Sequence, residues 1–199
     1  QQIKTLKGQN PVAISAGSMH SVVLCDDGSM LTFGFGEKGQ LGRRIGGSSS
    51  DIPGRVRFPE GVSGNVRLAR CGGSHTLLIN DDNEVWSFGS NAHGQLGLGD
   101  RKHRRLPNLV CGLVGKEIID LGAGLRHSAA VGEDGTCYMF GAGTQGQLGL
   151  SNGREDVLTP RLNPRLSALR VVAVACGGGH TMVTTMDMKP TSDGDSGKK

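Results

Sequence analysis

Residues 71–99 read CGGSHTLLINDDNEVWSFGSNAHGQLGLG, and this stretch recurs along the chain. Its histidine, His75, has counterparts at His20, His127 and His180, at separations of 55, 52 and 53 residues. A glycine stands three residues before each of them (Gly17, Gly72, Gly124, Gly177), and a small hydroxyl residue follows directly (Ser21, Thr76, Ser128, Thr181). Seven residues on come Asp27, Asp82, Asp134 and Asp187. The first three copies continue with Phe33-Gly34, Phe88-Gly89 and Phe140-Gly141, then with GQLG tetrads opening on Gly39, Gly94 and Gly146. So many spacings held in common mark a repeat. A fixed period of about 50 residues means a solenoid, a propeller or an array.

Each unit reads as four short strands. In the second, Val66 to Ala69 is the first strand, His75 to Asn80 the second and Val85 to Phe88 the third. The turn at Asp81-Asp82-Asn83, with Asp-Asp-Gly or Glu-Asp-Gly elsewhere, is a hairpin turn, because Gly and Asn accept its positive φ. A short outer strand near Leu109 and Val110 completes the unit. Leu31, Trp86 and Tyr138 are equivalent and lie two residues before Phe33, Phe88 and Phe140. Two apart on a strand is one face, so these side chains are expected to fill the gap between neighbouring units. Ile3 to Leu6 is read as an edge strand, and residues 46–64 as a long insertion serving as a mobile connection or a contact loop.

These motifs resemble the regulator of chromosome condensation repeat family. Residues 69–82 (ARCGGSHTLLINDD), residues 85–89 (VWSFG) and the pattern GQLGLGD…RxxP that ends on Pro107 carry the resemblance, which runs from about Val12 to Asp187. It implies a β-propeller, usually of about seven four-stranded blades. The chain departs from that in number. Its units are 12–65, 66–117, 118–170 and a partial 171–187, after a lead-in of 1–11 and before a tail or linker of 188–199. The fold class is therefore all-β: an incomplete propeller of about three and a half blades, a half-ring with open ends. Closed propellers have about 4–8 blades, so each open end is expected to be covered by the rest of the propeller, a second copy or another protein.

The 199 residues include 34 glycines, placed at repeat offsets, which makes them turn and close-packing residues. Net charge is +4, too slight by itself to argue for nucleic acid. Five cysteines (Cys25, Cys71, Cys111, Cys137, Cys176) form no C-x-x-C, so neither a disulfide framework nor a zinc site is indicated. An intracellular, reducing compartment follows, nucleus or cytoplasm first, with an organelle or a cytoskeletal assembly as alternatives. The chain opens at Gln1 without methionine or visible signal peptide, and reads as a processed or partial chain; no apolar run of about 18 residues is present.

The repeated histidines invite an acid/base or ligand reading. Identical flanks in successive units place them around a ring instead, and no carboxylate or cysteine stands at ligand spacing. They are read as structural, with each imidazole bonding backbone between strands, and Gly39, Gly94 and Gly146 as structural turn positions. Gly34-x-Gly36-x-x-Gly39 and Gly141-x-Gly143-x-x-Gly146 match a dinucleotide fingerprint, but that fingerprint opens a helix, and here a polar loop follows. No catalytic residue, metal site or cofactor is expected.

One cluster invites binding. Arg101, Lys102, His103 and Arg105 follow the second tetrad, and Arg43 and Arg44 the first. Equivalent loops of a propeller lie on one side, so these residues form a candidate basic interaction patch for phosphate or an acidic protein segment. Arg104, within the family pattern, is read as structural. The expected function is a non-enzymatic protein–protein interaction module or scaffold, a fragment or subunit of a larger assembly. The resemblance implies an alternative, guanine-nucleotide exchange on a Ran-type small GTPase. A third reading is chromatin or nucleic-acid binding through the basic loops, not favoured because so few aromatics are free to stack on bases. No membrane partner is indicated.

Overall fold

A computed structural model describes residues 3–151 and 154–186. The Asp187 turn and the 188–199 tail lie outside the described residues. Among the described residues, fourteen strands form four separate antiparallel sheets. The first holds β1 (Pro11–Ala16), β2 (His20–Cys25), β3 (Met30–Phe35) and β4 (Ser49–Arg55). The second holds β5 (Val66–Cys71), β6 (His75–Asn80), β7 (Val85–Gly89) and β8 (Arg104–Leu109). The third holds β9 (Ile118–Ala123), β10 (His127–Gly132), β11 (Cys137–Gly141) and β12 (Val157–Leu162). The fourth has two strands, β13 (Arg170–Cys176) and β14 (Thr181–Met186). Each full sheet is ordered as its sequence, a meander from inner to outer strand. The result is an incomplete, unclosed propeller.

The hairpin turns follow the expected chemistry. Gly28, Asn83 and Gly135 hold φ of 76°, 58° and 85°. Asp27 and Asp134 accept the backbone N–H of Ser29 and Thr136 through their carboxylates at 2.9 Å, fixing the turn.

The core lies between blades, not within them. One cluster joins Val22, Leu24 and Met30 of the first sheet to Leu78, Trp86 and Phe88 of the second. Another joins the second sheet through the third to Val171 and Val174 of the fourth. The aromatic of each unit's third strand packs under the tetrad of the unit before: a Cβ on Gly42 would stand 2.7 Å from the Phe88 ring, and one on Gly97 3.1 Å from that of Phe140. Phe88 and Phe140 are fully buried, whereas Phe33, which no tetrad covers among the described residues, is only partly covered.

Three expectations are corrected. Lys4–Leu6 forms a 3₁₀ turn, not an edge strand. The outer strand of the second unit is Arg104–Leu109, earlier than Leu109 and Val110, because its pairing with β7 runs from Trp86↔Leu109 to Gly89↔Arg104. The stretch 46–64 is no simple insertion. It contains β4, and Phe58 beyond that strand packs edge-on against Trp86 at 5.8 Å between ring centroids.

Candidate interaction surface

The repeated histidines join blades. His20 Nε2 lies 2.9 Å from Thr76 Oγ1, His75 Nε2 3.0 Å from Ser128 Oγ, and His127 Nε2 2.9 Å from Thr181 Oγ1. Each hydroxyl donates its single hydrogen to a tetrad carbonyl: Thr76 to Gln40 O at 3.0 Å, Ser128 to Gln95 O at 2.7 Å, Thr181 to Gln147 O at 2.8 Å. The hydroxyl oxygen must then accept from the ring, so each imidazole carries its proton on Nε2. These rings therefore bond the side chain of the following unit, not the backbone that the sequence reading expects. The opposite nitrogens, Nδ1 of His20, His75 and His127, are buried without a partner.

This geometry explains the glycine three residues earlier. A Cβ on Gly72 would collide with the His75 ring and with Gly124 O, and Gly17 and Gly124 meet the equivalent obstacles. Burial pulls the imidazole pKa of His20 and His127 down to about 4, and that of His75 to about 3 with help from its two neighbouring histidines. Burial likewise pushes the thiols of Cys71 and Cys176, at one repeat offset near the propeller axis, up to about 12, far from thiolate reactivity. Replacing Thr76 by Val keeps the shape and removes both bonds, stranding the His20 N–H and the Gln40 carbonyl. A loss of about 2–6 kcal/mol is expected, since each of the two buried orphans costs about 1–3 kcal/mol. Urea unfolding of Thr76→Val and His20→Ala, alone and combined, should show strong non-additivity.

The basic residues separate into anchored and free. The Arg43 guanidinium donates to Thr32 O, Ser50 Oγ and Ile52 O at 2.9–3.1 Å, which ties its loop to β4. Arg101 crosses to the third unit, donating to Asp156 Oδ2 at 2.7 Å and to Ala92 O. Burial alone would raise the Asp156 pKa, but Arg101, His93 and the Gly143 N–H hold it below its ordinary value. His103 Nδ1 accepts from the Asn91 N–H at 2.9 Å, and burial followed by the Lys38 charge lowers its pKa. Arg104 pairs with Asp100 at 2.7 Å. Arg44, Lys102 and Arg105 are exposed, and their side chains have no ion pair among the described residues.

Arg43 and Arg44 meet in a cleft of about 380 Å³ that also has Gly54, Arg55, Arg57 and Leu106 in its walls. It lies between the outer strands β4 and β8 of neighbouring blades. Arg101, Lys102, His103 and Arg105 are not among its lining residues. Arg55 pairs with Asp27 at 2.7 Å, while Arg57 is exposed and makes no ion pair among the described residues. Leu106 and Ile52 of the same two strands are 43% and 62% exposed, so apolar surface adjoins the cationic cleft. Arg55 and Arg57 escaped the sequence reading because β4 was hidden in the supposed insertion. Their spacing of two, RVR at 55–57, was the available signal.

A meander of four-stranded blades, latched by a histidine that reaches the next unit's hydroxyl, defines a propeller array. The chain belongs to the family of regulator of chromosome condensation (RCC1) repeats, whose models match residues 27–79, 82–131 and 134–184, and in a second form 12–40, 66–95 and 118–147. It is 35% identical over 184 residues to the ultraviolet-B receptor UVR8 of Arabidopsis thaliana, covering 91% of this chain and 40% of the receptor. It is 36% identical over 193 residues to the human E3 ubiquitin-protein ligase HERC2, covering 94% of this chain and 4% of the ligase. The crystal structure of human WBSCR16 superposes with a TM-score of 0.77 at 28% identity, covering 88% of this chain and 44% of that protein. The chain thus spans less than half the length of these relatives. The matched unit 27–79 begins at the Asp27 turn and joins the outer strands of one blade to the inner strands of the next.

Proposed function

We propose that this chain is a non-enzymatic protein-interaction module working within a larger assembly, and that its outer cleft between the first two blades takes an acidic segment of a partner protein. The observation that carries this reading is the cleft itself. Arg44 and Arg57 bring charge that no carboxylate among the described residues neutralises, Arg43 adds a guanidinium anchored to neutral groups, and Leu106 offers an apolar contact beside them. A segment mixing carboxylates with aliphatic side chains complements all of these. Arg105 and Lys102 on the neighbouring strand and loop would steer it by long-range attraction. The exposed terminal blades, with Ile14 82% and Met182 63% accessible, support the second half of the proposal: both ends of the array await further propeller or a partner. An intracellular setting belongs to the same reading.

The test uses a labelled peptide alternating Glu and Leu, with a Gln-for-Glu version as control. The acidic peptide should bind, weaken several-fold as salt rises toward about 0.5 M, and bind at least tenfold less to Arg44→Glu/Arg57→Glu. Equal binding by the double variant, or by the Gln peptide, sinks the reading. Two rivals are checked on the same protein. Release of a fluorescent nucleotide from a Ran-type GTPase on mixing would favour exchange activity. Tight binding of duplex DNA with a steep salt dependence would favour chromatin.

A further inference from the structure

Arg55 and Arg57 stand in the walls of two cavities. One is the cleft of about 380 Å³ between β4 and β8. The other has about 370 Å³, and its walls include Asp27, Val56, Phe58, Val62 and Asn65. Because they share two wall residues, the cavities adjoin as one groove beside β4. Its two halves differ in character. The first is cationic. The second is backed by apolar side chains: Val56 is buried in the core between the first two blades, and Phe58 and Val62 pack against that core. Phe58 is fixed further by its edge-on contact with Trp86.

The cations of the groove are all arginines; no lysine is among its lining residues. Arg43, Arg44, Arg55 and Arg57 face a single carboxylate, Asp27, which Arg55 already holds at 2.7 Å, so an excess of three positive charges remains. Arg43 is set in advance. Its Nε and Nη2 donate to Thr32 Oγ1, Thr32 O, Ser50 Oγ and Ile52 O, while Nη1 has no hydrogen bond among the described residues. A Cβ on Gly54 would stand 2.6 Å from the guanidinium carbon, so Arg43 rests against β4 where only glycine leaves room. The ordering of a long side chain is thus met by the fold and not by a ligand. A phosphate monoester brings about −1.5 to −2 charge and three strong acceptor oxygens on one group. It also matches the planar fork of arginine two bonds at a time. A segment bearing carboxylates alone would have to crowd two or three of them together, against their mutual repulsion, to offset the same excess.

We infer that this groove reads phosphorylation: it takes a partner-protein segment whose phosphoserine or phosphothreonine sits among Arg43, Arg44 and Arg57 while a neighbouring aliphatic side chain enters the cavity beside Phe58 and Val62. Recognition of a phosphorylated motif by clustered arginines is a recurring mode of peptide binding. The phosphate supplies the charge match, and the apolar half supplies sequence preference around it. The inference rests on the cleft reading above and names the chemical class of its ligand.

The probe is a labelled peptide, Ala-Leu-Ala-phosphoserine-Ala-Leu-Ala, which presents an aliphatic residue on either side of the phosphate and so serves for both chain directions. Three control peptides carry Glu at the phosphorylated position, unmodified Ser there, or Ala in place of both Leu. The phosphopeptide should bind the wild-type protein at least tenfold more tightly than the Glu peptide. The Ser peptide should bind at least a hundredfold more weakly, and loss of both Leu should weaken the phosphopeptide several-fold. Arg57→Lys keeps the charge and loses the fork, so it should weaken the phosphopeptide at least fivefold and the Glu peptide less than twofold. Arg43→Lys should do the same; if its thermal midpoint shows that β4 has loosened, the exposed Arg57→Lys decides. Equal binding of the Glu peptide and the phosphopeptide would overturn this inference and leave the cleft reading standing, whereas binding by neither would overturn both. Unchanged phosphopeptide binding by Arg44→Glu/Arg57→Glu would overturn the site. So would displacement of the phosphopeptide by an equal concentration of duplex DNA, which would assign the groove to a nucleic-acid backbone.

Discussion

Acidification from about pH 7 to about pH 4.5 is expected to strip this chain of several kcal/mol of stability, at a pH where most surface carboxylates are still ionised. The cause is the three buried latches. In the unfolded chain each imidazole titrates at its ordinary 6.5, whereas in the fold His20 and His127 titrate at about 4 and His75 at about 3. A depressed value means the unfolded chain takes up the proton first. The histidine contribution is therefore complete above about 6.5 and is lost progressively as pH falls toward the folded values. Each tenfold difference in proton affinity is about 1.4 kcal/mol, and three sites act together. Physically, Nε2–H is committed to a hydroxyl, and a second proton on Nδ1 would be a charge buried without an acceptor. Asp27, held down to about 2 chiefly by Ser29 and then by Arg55, loses its contribution only below about 3.8, so the two windows separate. Thermal midpoints measured from pH 8 to pH 4 should drop steeply below about 6.5. His75→Gln, which retains an N–H donor and does not titrate, should flatten the profile. A midpoint constant down to about pH 5 would contradict the latch chemistry.

Gly72→Ala should be among the more damaging single methyls in the chain. The new Cβ would overlap the fully buried His75 ring on one side and the Gly124 carbonyl on the other, both held by hydrogen bonds. Neither is the free end of a flexible side chain. Overpacking typically costs about 1–3 kcal/mol, and this site belongs at or above the top of that range, because relief requires breaking the His75–Ser128 latch and the Gly73 N–H bond to Gly124 O together. Gly47→Ala, in open space, is the control and should change nothing measurable. Urea unfolding midpoints decide it: a difference below about 1 kcal/mol between the two variants would mean that the inner corner yields more easily than the geometry allows.

The propeller was legible because its signals are local. Turn residues at Asp27, Asp82 and Asp134, the Phe-Gly pairs and the tetrads recur at offsets that a single sequence displays. The hairpin of each full blade's second and third strands followed from them. The partner of each histidine was not legible. The hydroxyl residue directly after His20 is Ser21, yet the ring bonds Thr76, 56 residues away, the same motif position one unit further on. Nothing local distinguishes those two hydroxyls; the choice is made when blades pack. The first outer strand was hidden for a related reason. Residues 49–55 include Pro53 and Gly54, poor strand formers, and β4 exists because β3 offers it an edge and Arg43 clamps it through Ser50 and Ile52. With β4 unread, Arg55 and Arg57 stayed apart from Arg43 and Arg44, and half of the cleft went with them.

The latches also bear on how such a chain assembles. Their partners are separated by 56, 53 and 54 residues, so every closure ties a loop of nearly equal length. Loop-closure entropy depends only on the logarithm of that length, so no junction is privileged and nucleation can begin at any of the three. Growth then proceeds in near-identical increments, as in a one-dimensional lattice with nearest-neighbour coupling. The middle of the array, flanked on both sides, is where hydrogen-exchange protection should be deepest, with unzipping starting from the outermost sheets.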